Sequence, residues 1–442
     1  MKSELYFVNL GLTYLFYMNN SYQSIRSSPR RSFLKKLAAG VGLSTLSVTP
    51  DSNAAPWPLA PLEGEAYWKQ VRQQFGLRPG LIIMNAANLC PSPRVVSDAV
   101  YDGTQELDYD ASFQNRKKYD ELRHTLRTKL ANYLHAELGE VTLTRNTSES
   151  NNTIVQGLPL KAGDEVVLWE QNHPTNLLAW QVQAKRHGFT VKVVSTPAQP
   201  TSPQDLIDPF LQAFTPNTKL LSFSHVSNST GVALPNKLCQ VAREKGILSM
   251  VDGAQSFGST ALNLPEMGCD FYTSSAHKWF MGPREMGILY VRKERIAELW
   301  PHVIGVGYDH YAPDDVERLS TLGQQDSAKL AAFISAVDFH EAIGQEAIAQ
   351  RITTLASQLK EQLHTRFPQA KLITPVSEAM SGGVVVVQFP NQDNAQLFEQ
   401  LYQQHQIACA PTGGLRFSPT VYNSPEEVDQ VVEALATLVA RE

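Results

Sequence analysis

The 442-residue sequence has little cysteine: Cys90, Cys239, Cys269 and Cys409 are its four, far apart and without a C-x-x-C pair. That spacing argues against a cysteine zinc site and a thioredoxin-like dithiol, and no metal site is expected. Each thiol reads as a small buried hydrophobe. The chain also lacks an excess of either charge: 38 Lys and Arg stand against 43 Asp and Glu, a net charge of −5. With no long basic run in the folded part, there is no electrostatic footprint for nucleic acid. Apolar runs are too short to cross a bilayer, so no stable membrane span is expected in the mature protein. No internal repeat or low-complexity segment stands out past residue 54. What remains is a globular balance of 18% charged and 43% apolar residues, enough for a large domain and a smaller one.

Residues 27–54 run from Ser-Ser-Pro-Arg-Arg-Ser-Phe-Leu-Lys-Lys through a short apolar stretch to Asp-Ser-Asn-Ala. A basic region, an apolar region and small residues at a cleavage point make a signal peptide. Arg30-Arg31 followed by Ser-Phe-Leu-Lys resembles the twin-arginine export motif, an address read by a receptor. Residues 1–54 are therefore expected to be a twin-arginine signal peptide cleaved after Ala54, with the translocase as partner and the periplasm as destination. The apolar run Leu5–Tyr17 lies upstream of where such signals begin, which points to Met18 as the true start.

An N-terminal segment over 55–80 leads into alternating strands and helices. Leu122, Leu126, Leu130 and Leu134 recur every fourth residue and predict one apolar helix stripe over 117–137. Short runs rich in Val, Ile, Leu or aromatics lie at 165–169, 190–195, 219–226, 247–251, 271–273 and 287–291. Such runs alternating with helices predict an α/β fold whose mainly parallel sheet is flanked by helices, here over 81–330. Its ligand belongs outside the carboxyl ends of the strands. Over 331–442 a smaller C-terminal α/β domain is expected. It has a helix at 329–343, an edge or small-sheet strand at 384–389, and a last helix opened by the capping box Ser424-Pro-Glu-Glu427.

Two blocks carry chemistry: Val251-Asp-Gly-Ala-Gln-Ser256 and Ser274-Ser-Ala-His-Lys-Trp279. Asp252 directly follows one strand, and Lys278 stands behind a Ser/His cluster after another. An acid and a lysine at neighbouring strand ends suit a cofactor with a ring nitrogen to protonate and an aldehyde to capture, which describes pyridoxal 5′-phosphate (PLP). The blocks resemble the PLP site of the class-V aminotransferase family. These are fold-type I enzymes that include cysteine desulfurases and isopenicillin-N-epimerase-like proteins. The resemblance covers nearly the whole mature chain.

The resemblance implies a role for each of the following residues. Lys278 holds PLP as a Schiff base and shuttles the α-carbon proton, while Asp252 keeps the pyridine nitrogen protonated. Thr147 and Ser148, in Asn146-Thr-Ser-Glu-Ser150 at a helix start, occupy the phosphate-loop positions, and Ser275 and His277 match residues just before the lysine. His173, in Glu170-Gln-Asn-His173, takes the place of the residue that stacks on the ring. Asn228 matches an asparagine bonded to the cofactor's phenolic oxygen, and Gln255 a glutamine near that oxygen or the phosphate. Arg416, in Gly413-Gly-Leu-Arg416, is the expected clamp on the substrate α-carboxylate; the guanidinium fork suits a carboxylate. Asn88, in Asn85-Ala-Ala-Asn88, belongs to a loop that closes over substrate. Gln324 stands where the family carries a threonine that reaches the neighbouring subunit's phosphate in a homodimer, a departure that bears on that contact.

Reaction type is less legible, because a fold hosts many chemistries. Cysteine desulfurases need a thiolate on a mobile loop ahead of the carboxylate-binding arginine. The segment Ile407-Ala-Cys-Ala-Pro-Thr-Gly-Gly-Leu-Arg416 is short and lacks that loop. The ending resembles the isopenicillin-N-epimerase-like branch, which also holds aminotransferases and carbon–sulfur lyases. With its export signal, the chain is similar to exported PLP enzymes that tailor the side chain of the peptide siderophore pyoverdine. The expected function is a periplasmic PLP-dependent aminotransferase acting on an amino-acid or peptidyl substrate. Epimerisation, carbon–sulfur lysis and cofactor binding without turnover are the alternatives.

Overall fold

Burial on both faces explains why the strands read as unbroken apolar runs. The computed structural model describes residues 63–439, so the signal peptide, Met18 and the junction at Ala54 lie outside the described residues. Strands β1 (Ile82–Ile83), β2 (Val141–Thr144), β3 (Glu165–Trp169), β4 (Thr190–Val194), β5 (Thr218–Ser224), β6 (Leu248–Asp252), β7 (Phe271–Ser275) and β8 (Gly287–Val291) come first in the chain. Seven of them form one sheet in the order β2-β8-β7-β6-β5-β3-β4. Only β8 runs against its neighbours β2 and β7; the remaining pairs are parallel. The fold is thus α/β with a mainly parallel sheet, as the sequence pattern predicts.

Alternate residues of each strand enter different cores. Val167, Trp169, Leu221, Phe223, Val251 and Tyr272 join one apolar cluster, while Val166, Leu168, Leu220, Met250 and Phe271 join another. The helices that matter here are α1 (Arg94–Tyr109), α2 (Lys118–Tyr133), α3 (Thr147–Gly157), α4 (Pro174–His187) and α5 (Ala328–Ile343). Val96 of α1, Leu126 and Leu130 of α2, and Phe333 of α5 cover the first face. Ile154 and Val155 of α3 and Trp180 of α4 cover the second. Leu126, Leu130 and Leu134 are fully buried, which is why their four-residue spacing is visible in the sequence. Met250 and Asp252 share one side of β6 because successive side chains alternate. That side carries the acid towards α3.

The C-terminal part adds α6 (Gln345–Arg366), β9 (Lys371–Leu372), β10 (Val385–Gln388), β11 (Ile407–Ala408), β12 (Leu415–Phe417) and α7 (Pro425–Val439). Strands β12, β10 and β9 form a three-stranded antiparallel sheet in that order, so the strand expected near 384–389 is its centre and not an edge. The predicted capping box is present: the Glu427 amide donates to Ser424 Oγ at 3.3 Å, and the Ser424 amide donates to Glu427 Oε2 at 3.4 Å. One pairing crosses the expected boundary. Strand β1 runs parallel to β11, and Ile82 and Met84 pack into the C-terminal core with Leu355, Val385 and Phe417. The N-terminal loop after β1 is thereby carried to strand β12, which bears Arg416. Among the described residues no helix is long and apolar enough to cross a membrane.

Candidate active site

Asp252 ends β6 and Ser275 ends β7, while β2 leads through Asn146 into α3 at Thr147. All three meet at the carboxyl edge of the sheet, where open α/β sheets bind ligands. The carboxylate of Asp252 is 3% exposed. Its Oδ2 accepts from Asn151 Nδ2 at 3.0 Å, and its Oδ1 from the Ala254 amide at 3.1 Å. Thr273 Oγ1 donates to Asn151 Oδ1 at 2.6 Å, which fixes the amide with its donor end on the acid. Both partners of Asp252 are neutral, so its charge stays available to a cation. The chain passes behind it only because residue 253 is glycine: a Cβ there would lie 2.0 Å from the Tyr272 ring.

Lys278 follows β7 in a tight loop. The Met281 amide donates to the Lys278 carbonyl at 2.9 Å, and the Gly282 amide to the Ala276 carbonyl at 2.8 Å. Met281 takes the left-handed conformation with φ of 55°, a strained setting for a long side chain. No hydrogen bond engages Lys278 Nζ among the described residues. Burial pushes its ammonium below the usual lysine range; Asp252 opposes this and Arg416 adds to it. A lysine shifted down in this way is more often the neutral, nucleophilic amine.

The phosphate-loop residues also converge. Ser275 Oγ lies 2.8 Å from the Thr147 amide and 2.7 Å from Thr147 Oγ1. This pair sits at the start of α3, where Asn146 Oδ1 already accepts from the Glu149 amide at 3.0 Å; a helix start of this kind suits a dianion. Ser148 is exposed beside it. His277 is half-buried and held below its ordinary range by burial, then by Lys278 and Arg284. Its carbonyl accepts from the Cys90 amide at 3.0 Å.

His173 caps α4: the Thr175 amide donates to its Nδ1 at 3.3 Å, and the Thr175 hydroxyl lies 2.8 Å away. Burial and the Lys278 charge push the imidazole down, Asp252 opposes them and Arg416 adds to the lowering. The ring is thus shifted towards its neutral form and lies within electrostatic reach of the lysine, the acid and the arginine. Its flanking residues Asn176 and Trp180 are fully buried, and Asn176 Oδ1 accepts from Ser222 Oγ at 3.2 Å.

Arg416 lies on β12 and is 4% exposed. Its Nη1 donates to the Asn228 carbonyl at 3.1 Å and its Nη2 to Asn85 Oδ1 at 3.4 Å, while the buried Nε has no partner among the described residues. Burial pushes the guanidinium down to about 10, against a smaller opposing effect from Cys409. A buried cation with neutral acceptors and spare N–H groups is suited to an incoming carboxylate.

Other expected residues sit differently. Gln255 is committed within the protein: its Nε2 donates to the Ala87 carbonyl at 2.9 Å, and its Oε1 accepts from Trp279 Nε1 at 2.7 Å. It ties the loop after β1 to the lysine loop. Asn228 reaches Arg416 through its backbone, leaving its half-buried side chain without a hydrogen bond among the described residues. Asn88 is exposed, and the amide against Arg416 belongs to Asn85 instead. Gln324 is exposed, with its Oε1 accepting from Arg116 Nη1 at 3.1 Å. Asn151 and Asn85 are the residues that motif reading passed over. Asn151 carried a signal, since it lies one turn after Thr147 on the same face of α3.

The residues fit PLP on geometry: an acid held by neutral donors, a lysine whose Nζ has no hydrogen bond among the described residues, and hydroxyl and amide groups at a helix start. The aminotransferase class-V family model matches residues 102–431. The isopenicillin N epimerase of Amycolatopsis lactamdurans is 32% identical over 393 residues, which is 84% of this chain and 98% of that protein. A probable cysteine desulfurase of Xylella fastidiosa (strain 9a5c) is 28% identical over 398 residues, 83% of this chain and 94% of that protein. The apo structure of a cysteine desulfurase from Thermococcus onnurineus NA1 superposes with a TM-score of 0.76 at 25% identity, covering 84% of this chain and 98% of that one. This chain belongs to the class-V aminotransferase family, on its isopenicillin-N-epimerase-like branch, and is a fold-type I enzyme with PLP as its cofactor.

Proposed function

We propose that this chain is an aminotransferase acting at the α-carbon of an amino-acid or peptidyl substrate in the periplasm, reached by the twin-arginine route. The observation that carries the reading is the convergence of four groups. Lys278 is influenced by Asp252 and Arg416, and His173 by all three. When bound, PLP supplies an electron sink for the substrate's α-carbanion. The protein supplies the rest. Asp252 would pair with the ring nitrogen, and Thr147, Ser148 and Ser275 would hold the phosphate. Arg416 would orient the α-carboxylate, which fixes the bond presented for cleavage. Lys278 Nζ, free of hydrogen bonds among the described residues and shifted towards its neutral form, would carry the proton from the α-carbon.

Thiol chemistry finds less support. Burial pushes the thiols of Cys90, Cys239 and Cys409 up to about 12, and that of Cys269 well above its usual range. A desulfurase needs a thiolate to take the sulfur. Export rests on Arg30-Arg31, and a terminal amino acid of an exported peptide, siderophore-like in kind, is the substrate that location favours. A homodimer is part of the proposal, with Gln324 at the surface where a neighbouring subunit would be met.

Epimerisation is the second reading, favoured by the 32% identity to isopenicillin N epimerase. It needs a second proton carrier, and His173 is the group available. A half-reaction screen of amino acids and siderophore-like peptides separates the readings. Transamination converts the cofactor to its pyridoxamine form. Solvent deuterium at the α-carbon without that conversion means epimerisation, and pyruvate with sulfide means lysis. Either of the last two outcomes overturns the first reading.

A further inference from the structure

We infer that Asn85 is a positioning residue: its amide oxygen holds the Arg416 guanidinium on the substrate α-carboxylate without neutralising it. The inference rests on the carboxylate-clamp reading of Arg416. Asn85 Oδ1 accepts from Nη2 at 3.4 Å, and the Asn228 carbonyl accepts from Nη1 at 3.1 Å. Arginine has five N–H donors, and these two bonds, one on each Nη, engage only two of them. Neither acceptor carries a charge. A carboxylate at either place would pair with the arginine and compete with the substrate.

Asn85 is held in place from both sides. It forms a parallel β-bridge with Ser418, two residues beyond Arg416. The Ser418 amide donates to the Met84 carbonyl at 2.8 Å, and the Ala87 amide donates to Ser418 Oγ at 3.1 Å. On the far side of the loop, Gln255 grips the Ala87 carbonyl at 2.9 Å and the Cys90 amide reaches the His277 carbonyl at 3.0 Å. The same short loop is therefore stitched to the arginine strand at one end and to the lysine loop at the other. It sets the distance between clamp and proton carrier, and Asn85 is the side chain through which the loop touches the clamp.

The test uses the holoenzyme, titrated with the best amino acid from the half-reaction screen and with its carboxamide, read by the visible absorbance change. Wild type should favour the carboxylate form. Asn85→Asp should raise half-saturation for that form by about tenfold or more, leave the carboxamide unchanged, and leave the spectrum before substrate unchanged. Asn85→Ala should show a smaller rise, again confined to the carboxylate form. If Asn85→Asp does not fold, Asn85→Ala decides alone. A change of equal size for both forms, or none for either, overturns the role of Asn85. A wild type that does not distinguish the two forms overturns the clamp itself. A second measurement is independent of turnover. At matched ionic strength, sodium succinate should raise the thermal midpoint of wild type more than that of Asn85→Asp. Equal shifts in the two proteins count against the inference even if no amino acid reacts.

Discussion

Asp252 and Arg416 bear opposite charges, and each is buried with no opposite charge bonded to it among the described residues. Asp252 accepts from Asn151 and Ala254, Arg416 donates to Asn85 and Asn228, and all four partners are neutral. The difference lies in how complete each cradle is. The Asn151 bond to the acid is 3.0 Å, and Thr273 locks the amide from behind at 2.6 Å. The Asn85 bond to the arginine is 3.4 Å, and Nε is left without a partner among the described residues. In the proposed roles, a resident ring nitrogen calls for a finished cradle, whereas a substrate carboxylate, which would enter and leave on every turnover, suits an unfinished one.

Lys278 is where the two regions meet, since Asp252 raises and Arg416 lowers its affinity for a proton. The largest effect is expected there. Lys278→Ala should lower turnover by about 10²–10⁴-fold or more and give a protein with no visible band that borohydride bleaches. A borohydride-trapped adduct at another lysine would move the site and break the comparison at its centre. Asn151→Ala comes next. It strands a buried carboxylate oxygen and a threonine hydroxyl, at a cost of about 1–3 kcal/mol in stability, read by urea unfolding, with weaker PLP retention. Asn85→Ala removes only a long bond at a partly exposed position and should unfold close to wild type. Equal destabilisation by the two variants would mean that the cradles do not differ in kind.

The same contrast explains what could be read from the sequence. The sheet was legible because both faces of β3, β5, β6 and β7 are buried, and the acid and lysine because one ends its strand and the other follows its own within a compact motif. The arginine's surroundings were not. Asn85 lies 331 positions away and Asn228 reaches Arg416 across 188 positions through its carbonyl. A backbone acceptor leaves no mark in a residue pattern. The β1–β11 pairing that brings Asn85 there spans two residues on each side, too short for any periodicity. Asn88 was the more conspicuous asparagine of its loop, and only the folded chain, through the β-bridge to Ser418 and the bond to Nη2, shows that Asn85 is the one placed against Arg416. Gln255 was visible as a motif residue, but its bonds to Ala87 and Trp279 depend on chain segments that local spacing does not join.

The smallest effect on chemistry is expected at Cys409, and it bears on what the arginine region is for. Cys409 is 5% exposed and lies just past β11, beside Ala410, whose amide donates to the Arg416 carbonyl at 3.0 Å. Burial holds its thiol up at about 12, although the nearby guanidinium pulls the other way. At pH 7 the thiolate fraction is then negligible, and the group is packing. Cys409→Ser should leave the half-reaction with an amino acid within about twofold. It should cost about 1–3 kcal/mol in stability, because a hydroxyl would replace a thiol among Ile407, Leu415 and Phe417. Sulfide release from free cysteine that disappears in Cys409→Ser would show a thiolate reaching substrate from this segment. The region around Arg416 would then be a sulfur-transfer loop as well as a clamp, and the buried position of Cys409 would describe only a closed state of it.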